Sequence, residues 1–106
     1  MVSVVVFVTT FLWATIRSIT MTKKYYFYLA RCSDQSLYSG TCIDLQEREN
    51  KHNEGEGAKY TRSRRPVKFI YHEEYKTLGD ARKREAEVKT WSKSEKERLV
   101  NGKRLT

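Results

Sequence analysis

The chain has 106 residues and a net charge of +8, from 21 Lys and Arg against 13 Asp and Glu. That length allows one domain, and a domain this small buries only about two-thirds of its unfolded surface, which excludes a large core. With 39% apolar and 32% charged residues, a modest core wrapped in a charged surface is expected, and two cysteines are too few for a disulfide scaffold.

The cation excess suggests a polyanionic partner, because phosphate neutralisation and counterion release reward clustered cations. Nucleic acid comes first and an anionic membrane surface second, although many small proteins are basic with no such partner. Cys32 and Cys42 lack zinc spacing and read as reduced thiols of a cytoplasmic protein, close together if their segments pair as a hairpin.

In chain order, residues 1–22 stand apart. Val2 to Ile16 is apolar except for Ser3, Thr9, Thr10 and Thr15, and Arg17 carries the first charge. A bilayer-crossing helix needs roughly twenty residues, and a secretory signal has a positive segment before its apolar core. Met21-Thr22-Lys23-Lys24 reads like a natural start. An upstream-start extension, a membrane anchor through residues 2–16, and a packed or targeting segment all remain open. The domain proper is expected over 23–103.

Tyr25 to Arg31 is rich in aromatics, as strands are. Ser33-Asp34-Gln35-Ser36 is a turn cluster, and Leu37 to Thr41 is a second strand, giving an antiparallel hairpin. Asp44 caps a helix predicted over Leu45 to His52. Asn53-Glu54-Gly55-Glu56-Gly57 ends it and opens a loop that continues through Pro66. Val67 to Tyr75 is a third strand. Thr77 and Asp80 start a helix to about Trp91, and Ser92 with Glu95 forms a capping box for a last helix to about Val100.

Three features ask for more than a structural account. Glu85 shares the stripe of Leu78, Ala81 and Val88, where a carboxylate is costly unless paired or holding a metal. It either binds an ion or sits at the stripe's edge against a nearby Arg or Lys. The helix after Asp44 has Leu45 as its one strong apolar anchor, and Arg48 and His52 share a face. That face is either presented to a ligand or simply solvated. The loop from Lys59 to Arg65 interleaves Lys59, Arg62, Arg64 and Arg65 with Tyr60. Such a loop suits DNA binding, with cations on phosphates and an aromatic on a base, or serves only solubility.

Together these residues resemble the GIY-YIG endonuclease superfamily. Tyr26-Phe27-Tyr28 and Tyr38-Ser39-Gly40 look like its two triplets. Arg48 follows Tyr38 at the spacing of the family's catalytic Arg, and His52-Asn53 comes next. Gly57 to Val67 and Arg84 to Trp91 are similar to the small single-domain, YhbQ-like branch, with Glu85 at the metal-binding Glu. The likeness spans residues 25 to about 100 in order. Tyr26 and Phe27 replace Gly and Ile, Ser39 replaces Ile, Gln35 stands at a turn Gly, and Glu49 takes an apolar position. Glu49 would weaken phosphate attraction beside Arg48 or alter helix packing.

The resemblance implies an α/β GIY-YIG-type domain, a three-stranded antiparallel sheet flanked by helices, with Phe27, Leu29, Leu37, Ile43, Phe69, Ala81, Val88 and Trp91 as core candidates. It implies a metal-dependent endonuclease acting on DNA, with a structure-specific role in DNA repair or recombination as the finer expectation. Glu85 would hold one Mg²⁺ (or Mn²⁺), which suits one carboxylate plus waters and phosphate oxygens. The ion would act as a Lewis acid on phosphate and leaving group.

Tyr38 would activate or position the water, and with an ordinary pKa of about 10 it needs a cation nearby. Arg48 would supply that cation and grip the phosphate, Tyr28 would orient Tyr38 or the water, and His52 would assist proton transfer or contact phosphate. The rival readings are a non-catalytic nucleic-acid-binding module and a small protein tethered to a membrane through residues 2–16.

Overall fold

The computed structural model describes residues 23–102. The expectations for the N-terminal extension fall outside them. Among the described residues no helix is long and apolar enough to cross a membrane.

Three strands, β1 (Tyr25–Arg31), β2 (Leu37–Cys42) and β3 (Lys68–Tyr75), form one antiparallel sheet in the order β2-β1-β3. The aromatic strand β1 is therefore central and paired on both sides. Strand alternation splits its side chains between two clusters. Tyr28 and Ala30 pack with Cys32 and Val67, joined by Tyr38, Leu45 and Phe69. Phe27 and Leu29 pack with Val88, joined by Tyr71, Trp91 and Leu99.

The first cluster lies under helix α1 (Leu45–Asn53), and the second under α3 (Leu78–Lys89) and α4 (Lys93–Val100). The three-stranded α/β arrangement is the expected one. Between Leu29 and Ala30 the register passes from Tyr71 to Phe69, so Ile70 is the extra residue of a bulge.

The caps follow the sequence. Asp44 accepts from the Glu47 amide, Thr77 from the Asp80 amide, and Ser92 with Glu95 closes a reciprocal capping box. In the β1–β2 turn the Asp34 carboxylate accepts from the Ser36 amide at 3.0 Å. Gln35 adopts a φ of +71°, the left-handed conformation that explains why Gly is usual at this place.

Four expectations are corrected. Residues 59–62, read as loop, form a short helix α2 (Lys59–Arg62), whose Thr61 side chain is fully buried. Ile43 is 58% exposed, because it lies past the end of β2 on the way to the Asp44 cap. Phe69 and Trp91 flank the core half-buried, while Tyr28 and Cys32 belong to its centre. Cys32 and Cys42 are free thiols, but the hairpin does not bring them together. Its register pairs Cys42 with Tyr26 at one end, and Cys32 lies beyond Arg31 at the other.

Candidate active site

Tyr28 is the centre of the first cluster. Its ring stacks on Phe69 at 4.0 Å and lies across the ladder from Gly40. A Cβ at Gly40 would come within 2.4 Å of the Tyr28 hydroxyl. The Gly of the second triplet is thus required sterically, since no side chain fits beneath that phenol.

The Tyr28 hydroxyl is 2.8 Å from His52 Nε2, and His52 Nδ1 is 2.8 Å from the Thr61 hydroxyl. Thr61 donates its one proton to the Ala58 carbonyl at 3.0 Å. Having spent it, Thr61 can only accept from His52, so Nδ1 carries the imidazole proton. Nε2 is then an acceptor and Tyr28 donates to it. The relay runs Tyr28 to His52 to Thr61 to Ala58, with each proton assigned.

Burial pushes the Tyr28 phenol well above its ordinary range, with the neighbouring Arg48 charge acting the other way. Tyr28 therefore stays protonated, with its proton committed to His52 and its oxygen beside the Arg48 guanidinium.

His52 is fully buried, which corrects the expectation that it contacts phosphate. Gly57 leaves room for it, because a Cβ there would lie 2.2 Å from Nδ1. Burial first, then the Arg48 charge, lowers its imidazole to about 4. An unfolded His binds a proton below about pH 6.5 and the folded one resists until about 4. The unfolded state binds more protons in that window, so stability is complete above pH 6.5 and falls as pH drops towards 4.

Urea unfolding at pH 7 and pH 4.5 should therefore show a loss on the order of 2–3 kcal/mol. Most of it should be absent in His52→Gln, where the shared carboxylate contribution cancels in the comparison. Equal losses in both proteins would show that His52 is not the source.

Tyr38, on the edge strand β2, is half-buried and tilted against Tyr28, with ring centroids 6.4 Å apart. His52 meets it edge-on at 5.5 Å. Arg48 projects from α1 towards the same place. Its Nε is buried and has no hydrogen-bond partner among the described residues.

Glu85 sits on α3 with its side chain 19% exposed, and its Oε2 accepts from Lys89 Nζ at 3.0 Å. The pairing of Glu85 with a nearby cation is thus present. Lys89 Nζ also lies 6.0 Å from the Tyr38 ring centroid, which links Glu85 to the tyrosines. The i,i+4 spacing of Glu85 and Lys89 was a usable sequence signal for this contact. Nothing in spacing marked Thr61.

Among the described residues no three His, Cys, Asp or Glu side chains converge. Glu85 is the carboxylate that these contacts place beside the tyrosines. That donor set fits a hard divalent ion that keeps most of its water, and does not fit zinc.

The basic segment is more structural than expected. Arg62 Nε donates to the Gly55 carbonyl at 3.2 Å, and Arg65 Nε to the Arg62 carbonyl at 2.8 Å. Arg64 Nε donates to Asp34 at 3.0 Å. These guanidiniums hold the segment's shape, yet each retains further N–H groups. Lys59 and Tyr60 are exposed. Glu49 does not disturb Arg48 through an ion pair; its carboxylate accepts from the Phe69 amide at 2.7 Å and ties α1 to β3.

Residues 24–98 match the model of the GIY-YIG catalytic domain. A UPF0213 protein of Staphylococcus saprophyticus is 47% identical over 78 residues, covering 74% of this chain and 95% of that protein. One of Staphylococcus aureus is 49% identical over 76 residues, covering 72% and 93%. Among solved structures, the solution structure of protein EF2693 from E. faecalis is 40% identical and aligns with a TM-score of 0.53. It covers 76% of this chain and 85% of that one. The ordered triplets, the packed Tyr28–Tyr38 pair and this match agree, and the chain belongs to the GIY-YIG family, as a small protein of the UPF0213, YhbQ-like kind.

Proposed function

We propose that this chain is a metal-dependent endonuclease that hydrolyses DNA phosphodiester bonds. The observation that carries the reading is Arg48. Among the described residues its Nε is buried without a partner, beside Tyr28 and His52, in a place where an unsatisfied cationic donor costs stability. An anion arriving there would satisfy it, and a phosphate diester matches the fork of a guanidinium.

In this reading Arg48 grips the scissile phosphate and neutralises the charge that develops on it. Tyr38, half-exposed on the edge strand, meets the attacking water. Tyr28 cannot take that water's proton, because its own is held on His52 and burial keeps it there. It instead fixes the floor on which Tyr38 and Arg48 rest. Glu85 would hold Mg²⁺ or Mn²⁺, and the ion would supply Lewis-acid stabilisation for the phosphate and the leaving oxygen.

Lys59, Arg62 and Arg65 supply charge to the DNA backbone beside the site. Neutralising Lys59 and Arg62 together should weaken binding alike on unrelated sequences, and each lost phosphate contact should lower the salt slope of log affinity by about one unit. An unchanged slope would remove them from the interface.

The direct test incubates purified protein with linear, nicked, flapped and branched DNA in Mg²⁺, Mn²⁺ or EDTA. Cleavage of at least one substrate that stops in EDTA is expected. Tight binding of all of them with no cleavage would make the chain a binding module. A structure-specific role in repair or recombination requires that a branched or flapped substrate be cut faster than plain duplex.

A further inference from the structure

Tyr60 and Arg64 pack against the site, although Tyr60 keeps 40% of its surface exposed. The Tyr60 ring stacks on Tyr38 with centroids 5.8 Å apart and planes 23° from parallel. The Arg64 guanidinium lies 3.8 Å over the Tyr60 ring. Arg64 is fastened in turn. Its Nε donates to Asp34 Oδ2 at 3.0 Å, and its Nη1 to the Tyr60 carbonyl at 2.8 Å. Asp34 is itself held by Ser36 in the β1–β2 turn. The Arg64 carbonyl accepts from the Ser33 amide at 2.9 Å. The turn therefore grips this residue through both backbone and side chain.

We propose that Tyr60, clamped by Arg64, is a positioning residue that fixes the ring of Tyr38 for the hydrolysis described above, on which this role rests. Tyr38 needs such support. Among the described residues it lies on an edge strand, with no neighbouring strand beyond it to limit its rotamers. Tyr28 and His52 bound it on the core side. Tyr60 adds the parallel contact that a swinging ring would lose.

The same short helix also reaches the other tyrosine, since Thr61 receives the His52 proton and His52 receives that of Tyr28. Adjacent residues of α2 thus hold both phenols, one directly and one through an imidazole. Arg64 is poorly suited to following phosphates, because Asp34 already offsets its charge and Tyr60 occupies its face.

The test compares single-turnover cleavage at saturating DNA with DNA affinity, for wild type, Tyr60→Ala, Tyr60→Phe and Arg64→Met. Displacing a reacting group by about 1 Å can cost about a hundredfold in rate. Tyr60→Ala should therefore slow cleavage by about tenfold or more while affinity changes by less than about threefold. Tyr60→Phe should restore the rate, because the stack needs the ring and not the hydroxyl. Arg64→Met should slow cleavage without lowering the salt slope of binding. In a Tyr38→Phe background, Tyr60→Ala should have no further effect, since it acts through Tyr38.

Tyr60 is 40% exposed, so its variants should fold, and thermal melting of each checks this. If Tyr60→Ala cuts at the wild-type rate, or if its loss lies wholly in affinity, Tyr60 is a DNA contact and the positioning role is wrong. Full additivity with Tyr38→Phe would also overturn it. If wild-type protein cuts no DNA at all, the hydrolytic reading fails first, and this role fails with it.

Discussion

Glu85→Gln should abolish Mg²⁺-dependent cleavage, by at least about a hundredfold, while DNA affinity stays near its wild-type value. The substitution keeps shape and removes one charge, so it isolates what the carboxylate does. Glu85 stands on α3 between the buried Ala81 and Val88, mostly covered, and among the described residues its charged partner is Lys89 at 3.0 Å. Such a pair on a helix surface contributes only about 0.3–0.5 kcal/mol, so the fold should survive its loss.

A role limited to pairing with Lys89 would therefore leave the cleavage rate nearly unchanged. A role as a carboxylate ligand of a divalent ion would make Glu85→Gln lose metal-dependent activity. Titrating Mn²⁺ against both proteins without DNA, beside the cleavage assay, gives the two readouts. Wild-type cleavage by Glu85→Gln would place the metal elsewhere.

The elements were legible because their signals are local. Aromatic density marks β1, the Asp34 turn closes the hairpin, and Asp44, Thr77 and Ser92 announce three helices through side chains that cap within three residues. Tyr28, Tyr38, Arg48 and Glu85 were legible as family positions.

What the sequence hid depends on contacts across long separations. His52 looked like a surface partner of Arg48, yet α1 turns it inward against Tyr28, 24 residues away. Arg64 looked like part of a free basic run, yet it is bound to Asp34, 30 residues away. Ile43 looked like core because its composition says so, and only the end of β2 decides that it faces solvent. Glu49 looked damaging beside Arg48 and instead satisfies a strand amide. In each case local chemistry was read correctly and the partner was supplied by topology.

Tyr38→Phe and Arg48→Ala should each lower single-turnover cleavage by at least about a hundredfold, and the double mutant should lose little more than the worse single one. The two side chains reach the site from separate elements, Tyr38 from β2 and Arg48 from α1. Tyr28 and His52 lie between them in one buried cluster. Tyr38→Phe removes only the hydroxyl and keeps the ring that stacks on Tyr60, so its effect reports chemistry rather than packing. Arg48→Ala removes a guanidinium whose Nε has no partner among the described residues. Its loss relieves that unsatisfied donor but also removes the charge beside the Tyr28 hydroxyl, so stability should change far less than the cleavage rate. A rate loss without a stability loss is what a group held for the substrate should show. Both residues serve one transition state, the water at Tyr38 and the charged phosphate at Arg48, so removing the second after the first leaves little to lose. If the two losses multiply in full, Tyr38 and Arg48 act at independent steps and the shared site proposed here is wrong.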